Sequence, residues 1–185
     1  MSHEYKGYTI EIEQDECAPN PRREFDELGV MVCWHGRYDL GDEKTESYQQ
    51  SPDDFIEWAE GSKEIALILP LYLYEHSGLR IKVGSFNGLL PQGHAEFDTM
   101  QVGFIYVTKD ALRKEYGKTR LSKKTLEHAR RVLLNEVEVY DQYLSGDVWA
   151  YVIDGVDSCG GFFGYDVCLK DAQGMIDYHI EHSEA

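Results

Sequence analysis

The stretch SKKTLEHARRVLLNEVEVYDQYLSGD, residues 122–147, decides the fold class. Leu126, Leu133, Val137, Tyr140 and Leu144 follow one another at spacings of seven, four, three and four, which is one face of an α-helix. The pattern predicts a long helix over about 122–145 with its apolar face against a sheet. Its charges oppose the helix dipole. Lys123, Lys124, Arg130 and Arg131 crowd the start, while Glu136, Glu138 and Asp141 stand toward the end, where partial negative charge already gathers.

Strand signals flank this helix. YKGYTIEIEQDE (5–16) alternates Tyr8, Ile10 and Ile12 with Thr9, Glu11 and Glu13, the pattern of a half-buried strand. VMVCWH (30–35), QVGFIYVTKD (101–110) and DVWAYVIDG (147–155) read as further strands. EIALILPLYLYEHSGLRIKV (64–83) reads as a strand pair turning at EHSG. Pro70 in that run has no N–H for the ladder and argues for an edge or a bend. CAPNPRREFDELG (17–29), the acidic GRYDLGDEKTESYQQ (36–50) and GSFNGLLPQGHAEFDTM (84–100) read as loops, and VDSCGGFFG (156–164) as a glycine-rich turn.

Three more helices are expected. SPDDFIEWAEG (51–61) has Ser51 as a cap, Pro52 in the first turn, and Asp53 and Asp54 facing the positive end of the dipole; Phe55, Ile56 and Trp58 are its apolar anchors. KDALRKEYG (109–117) is short and basic. YDVCLKDAQGMIDYHIEH (165–182) closes the chain with Leu169, Ala172, Ile176 and Ile180 on one face. The order predicts an α+β fold: a mostly antiparallel sheet of five or six strands, with the long helix and the C-terminal helix packed on it, in a single domain over 1–185.

Charge is the strongest compositional signal. The chain holds 34 Asp+Glu against 18 Lys+Arg, a net of −16. Residues 1–60 carry 16 acids and 5 bases, whereas 109–131 carry 9 bases and 3 acids. Such an acidic field repels nucleic acid and attracts basic surfaces, including those that hold nucleic acid. Direct nucleic-acid binding is therefore not expected, and the basic stretch reads as an internal counter-charge to the acidic first third. No apolar run approaches the ~20 residues of a membrane span, and the N-terminus lacks a signal-peptide pattern. A cytoplasmic protein without membrane contact is expected.

Motifs for chemistry are sparse. Cys33 with His35, and His179 with His182, lack partner pairs at metal-ligand spacing, and His76 and His94 fall in turns. No metal, cofactor or catalytic residue is expected. Cys17, Cys33, Cys159 and Cys168 show no C-x-x-C spacing and read as reduced thiols. Ser158 and Cys159 precede glycines outside a nucleophile-elbow context. CGGFFG before a helix suggests an anion-binding terminus, yet it lacks the Lys and Ser/Thr of a P-loop.

YKGYTIEIEQDE, VMVCWHGRYDLGDE, LPLYLYEHSG, QVGFIYVTKD with RKEYG, EVEVYDQYLSGDVWAYVI and DSCGGFFG together resemble a family of small proteins carried by phages and mobile elements of gut bacteria. The resemblance runs from about Tyr5 to Ile180. It departs near Phe86–Asp98, where relatives have a Cys/Trp-containing version. It implies a non-enzymatic inhibitor of CRISPR–Cas immunity that binds the effector, Cas9 with its guide RNA, in the bacterial host cytoplasm, and it brings no catalytic residues. Cas9 holds nucleic acid in positively charged channels, which an acidic protein can occupy as a mimic. The partner-binding candidates are Asp39, Asp42, Glu43 and Glu46 of the acidic loop, Asp53, Asp54, Glu57 and Glu60 of the helix after it, and Glu136, Glu138 and Asp141 of the long helix. A partner's use of the last three would explain their placement; neutralisation by bases of 109–131 is the competing explanation. An accessory protein binding another host protein, or a small enzyme using Cys159, are the alternatives.

Overall fold

A computed structural model describes residues 1–42, 51–76, 78–90 and 98–183. The fold is α+β, and every strand pairing is antiparallel. The strands do not form the expected single sheet. Among the described residues there are eight strands in two four-stranded sheets, with orders β1-β2-β7-β8 and β3-β6-β4-β5. The backbone divides accordingly into two compact units, Met1–Asn20 with Gln142–Ala185, and Pro21–Asp141. The second unit is thus an insertion between β2 and β7 of the first.

In the first unit the expected strand over 5–16 is a hairpin. β1 (Ser2–Tyr5) and β2 (Tyr8–Gln14) are joined by Lys6 and Gly7, both at positive φ (49° and 85°), the conformation that two-residue hairpin turns require. β7 (Val148–Ile153) lies beside β2, placing Ile10 opposite Ile153 and Ile12 opposite Tyr151. These four side chains are buried with Cys168, Ala172 and Ile176 of the C-terminal helix α5 (Tyr165–Ser183). Cys168, rather than Leu169, completes the central stripe, and Leu169 and Ile180 pack at its margin. Alternation turns Glu11 and Glu13 to solvent.

The glycine-rich segment read as a turn is a strand, β8 (Asp157–Phe163). Gly161 takes φ 79° and its N–H donates to the carboxylate of Asp15 at 2.8 Å. A Cβ on Gly160 would stand 2.7 Å from the same carboxylate. The anion these glycines accommodate belongs to the chain itself.

The second unit begins with a single helical turn, α1 (Pro21–Glu24), inside the segment expected to be a loop. β3 (Val30–Cys33), β4 (Ile65–Glu75), β5 (Leu79–Val83) and β6 (Thr99–Thr108) form its sheet. β5 pairs with β4 only from Leu71 onward, so β4 is an edge on that side up to Pro70, which suits a residue without an N–H. Helix α2 (Pro52–Gly61) has the expected Ser51 cap and buries Phe55 and Ala59 against Val32, Phe104 and Tyr106. Helix α3 (Lys109–Tyr116) follows β6.

The long helix α4 runs Lys123–Ser145 and buries Ala129, Leu133, Val137 and Tyr140. Gly29 lies where Leu133 of α4 meets Ile105 of β6; a Cβ there would stand 2.5 Å from one and 2.8 Å from the other. Among the described residues no helix is long and apolar enough to cross a membrane.

Candidate functional site

The acidic candidates divide into two groups with different work. Asp42, Glu136 and Asp141 are engaged inside the second unit. Arg22, whose side chain is 1% exposed, is the centre of a buried network. Its Nε donates to Asp42 at 2.9 Å, Nη1 to Glu136 at 3.2 Å and Nη2 to the Gly29 carbonyl at 2.7 Å; Nη2 also pairs with Asp42. Asp42 accepts the Met31 N–H at 2.6 Å. Glu136 accepts the N–H groups of Leu28 at 2.8 Å and Gly29 at 3.1 Å. Burial pulls the Arg22 pKa down, but hydrogen bonding and charge from Asp42, and then Glu136, outweigh it, so the guanidinium is held charged.

Asp141 makes a bidentate pair with Arg80 (2.9 and 2.7 Å) and accepts the Ile81 N–H at 2.8 Å. Ile81 lies on the edge strand β5, so the carboxylate also satisfies an edge donor. These contacts account for two of the charges that run against the α4 dipole. The bases come from Arg22 and Arg80, not from 109–131. Glu136, at 4% exposure, is not a surface charge. Glu138 is exposed.

The second group faces solvent. Asp39 is exposed and lies 3.4 Å from Arg23. Asp54 forms the capping box with Ser51, accepting the Ser51 N–H at 3.2 Å; hydrogen bonds from the Ser51 side chain and backbone hold its pKa down. Asp53, Asp54, Glu57 and Glu60 are all exposed, and α2 contains no lysine or arginine. Among the described residues, Asp53, Glu57 and Glu60 have no ion pair. Trp58, expected as an inward anchor, is instead 45% exposed. At 100° per residue it lies at one margin of the acidic arc. Glu43 and Glu46 lie outside the described residues, as does His94.

A cleft of about 470 Å³, lined by Glu27, Lys114, Tyr116, His128, Asn135 and Glu136, among others, has no counterpart in any sequence pattern. Its signal was hidden because Arg22 and Glu27 sit in a segment with no periodicity. Burial pushes the Glu27 carboxyl up to about 7; the nearby Glu136 charge adds to this, and Arg22 offsets part of it. Hydrogen bonding to Glu136 and the charge of Asp42 raise it further. The folded protein therefore holds this proton more tightly than the unfolded chain, whose carboxyl titrates near 4.5. The resulting stabilisation is full below that value and is lost as pH rises through about 7. Glu27→Gln should flatten the fall in melting temperature between pH 5 and pH 8, read by circular dichroism on both proteins. His128→Gln, which changes another side chain lining the same cleft, serves as the control. An unchanged slope in Glu27→Gln would contradict the assignment.

Among the described residues those weighed for chemistry are not assembled. The Cys159 thiol is exposed and contacts the Gly160 carbonyl at 3.8 Å, and among the described residues no histidine hydrogen-bonds it. Burial pushes Cys33 up to about 12, a range in which it is a poor nucleophile or ligand. His35 stacks on Tyr38, His179 meets Tyr8 edge-on, and His182 bonds the Tyr178 carbonyl. Among the described residues no group of three His, Cys, Asp or Glu side chains is placed to hold a metal. Comparison with family models, with curated proteins and with solved structures returns no match.

Proposed function

We propose that the chain is a non-enzymatic acidic binding protein that docks on the nucleic-acid-holding surface of a CRISPR–Cas effector in the bacterial cytoplasm, Cas9 with its guide RNA, and blocks nucleic-acid binding or cleavage. The observation that carries the reading is the outer arc of α2: four exposed carboxylates, no base in the helix, and a half-exposed Trp58 at its margin. Carboxylates without local counter-charges are free to replace phosphates on a basic surface. An exposed tryptophan is the side chain that most often anchors a protein interface. The choice of Cas9 rests on the family resemblance. Asp42, Glu136 and Asp141 drop out of the contact surface because their partners are internal.

Immobilised Cas9–guide complex is expected to capture the wild-type protein. Trp58→Ala should weaken capture by about 2 kcal/mol or more, as loss of an interface anchor does. Joint replacement of Asp53, Glu57 and Glu60 with lysine should abolish it, with melting temperature near that of wild type. Undiminished capture by both folded variants would remove α2 from the interface. Failure of the wild type to bind any Cas9 complex would favour another host protein as partner. Inhibition at substoichiometric ratios would favour an enzyme.

A further inference from the structure

Among the described residues the basic segment does not neutralise the acidic first third by contact. Lys114, Lys118, Arg120, Lys123, Lys124, Arg130 and Arg131 are exposed, and among the described residues none of them forms an ion pair. Only Arg113 does, with Asp110 three residues before it. A chain with 34 carboxylates would readily place some of them against nine clustered bases if neutralisation were their role. The acids within the segment, Asp110, Glu115 and Glu127, leave it at a net +6.

Two of these cations, Lys118 and Lys124, line a concave site. A cleft of about 250 Å³ opens between the end of α3 and the start of α4, lined by Tyr116, Lys118, Ser122, Lys124, Thr125 and His128. The Tyr116 and His128 rings stand 5.7 Å apart, edge to face. Two ammonium groups and two flat rings in one cleft offer both charge for phosphates and surfaces for bases, while the Ser122 and Thr125 hydroxyls bond each other. Beyond the cleft the cations continue on one arc of α4. Lys123 and Arg131 are eight residues apart, about 12 Å along the axis. That span exceeds the reach of a single phosphate, and Glu127, midway along it, divides the row into a Lys123–Lys124 pair and an Arg130–Arg131 pair.

We propose that the α3–α4 face binds single-stranded nucleic acid, with phosphates over Lys118, Lys124 and the α4 arginines and a base against Tyr116 or His128. The inference is independent of the acidic α2 surface and reverses the expectation drawn from net charge. Net charge describes the far field, whereas phosphates within a Debye length, about 8 Å at physiological salt, feel the local +6. The larger neighbouring cleft is lined by Asp26, Glu27 and Glu115, which favours phosphates on the Lys118 and Lys124 side.

Fluorescence anisotropy of the full chain with a labelled mixed-sequence RNA strand, without Cas9, tests this directly. Binding should weaken as salt is raised. The joint variant Lys118→Gln with Lys124→Gln should bind about tenfold more weakly and lose about 1.4 from the salt slope, the share of two phosphate contacts on a single strand. Tyr116→Ala should weaken binding without changing that slope. The Lys118 and Lys124 ammonium groups are exposed, and an unchanged melt will confirm that the double variant folds. Absence of binding at low salt would overturn the proposal. So would an unchanged slope in the folded double variant, or tighter binding of poly-glutamate than of RNA, which would make this a surface for acidic peptides.

Discussion

Gly103→Ala is expected to be the most damaging single methyl group in the protein. β3 pairs with β6 so closely at this point that a Cβ on Gly103 would stand 1.9 Å from the Val32 carbonyl oxygen and 2.9 Å from the Cys33 Cα. Both atoms are backbone, so no rotamer change relieves the contact. β3 would have to detach from β6, disturbing the packing of Val32 and Phe104 against Phe55. A loss of about 4 kcal/mol or more is expected, in the range of the most severe substitutions. Chemical denaturation followed by tryptophan fluorescence will measure it. Gly36→Ala, where a Cβ meets nothing within 4 Å, should change stability little. Equal stability of the two variants would contradict the strand pairing.

Arg22→Met is the second. The substitution keeps an unbranched side chain of similar reach but removes every donor. It would leave Asp42 and Glu136 without their shared guanidinium, although backbone N–H groups would remain on both. Breaking a buried pair from one side costs about 3–5 kcal/mol, because the remaining charge stays desolvated. Replacing Glu136 with Gln in the same protein should recover part of that loss by removing one stranded charge. Additive losses from the two substitutions would show that Arg22 and Glu136 do not act as one network.

Local patterns carried most of the secondary structure. Alternation located β2, the Ser51-Pro52-Asp-Asp start located α2, and four apolar spacings located α4. The division into two sheets was hidden because a half-buried strand shows that it has an inner face, not which strand lies beside it. β2 finds β7 across the whole inserted unit, and β3 finds β6 across β4 and β5. Carboxylate roles were hidden for the same reason. Glu136 and Glu138 are two residues apart on one helix; one faces Arg22 and backbone donors, the other solvent, and only packing distinguishes them. Trp58 was misplaced because a large apolar residue on a short helix reads as an anchor. The inward positions on α2 are filled by Phe55 and Ala59.

The proposed interaction is the binding of free carboxylates on a folded acidic chain to the basic surface of Cas9 in place of nucleic acid. Its most direct measurement is the affinity of the wild-type protein for the Cas9–guide complex across ionic strength. Log affinity should fall linearly and steeply with log salt concentration, as phosphate contacts do, and the slope should shrink when Asp53, Glu57 and Glu60 are made neutral. A salt-independent affinity would contradict the account and identify an apolar interface instead.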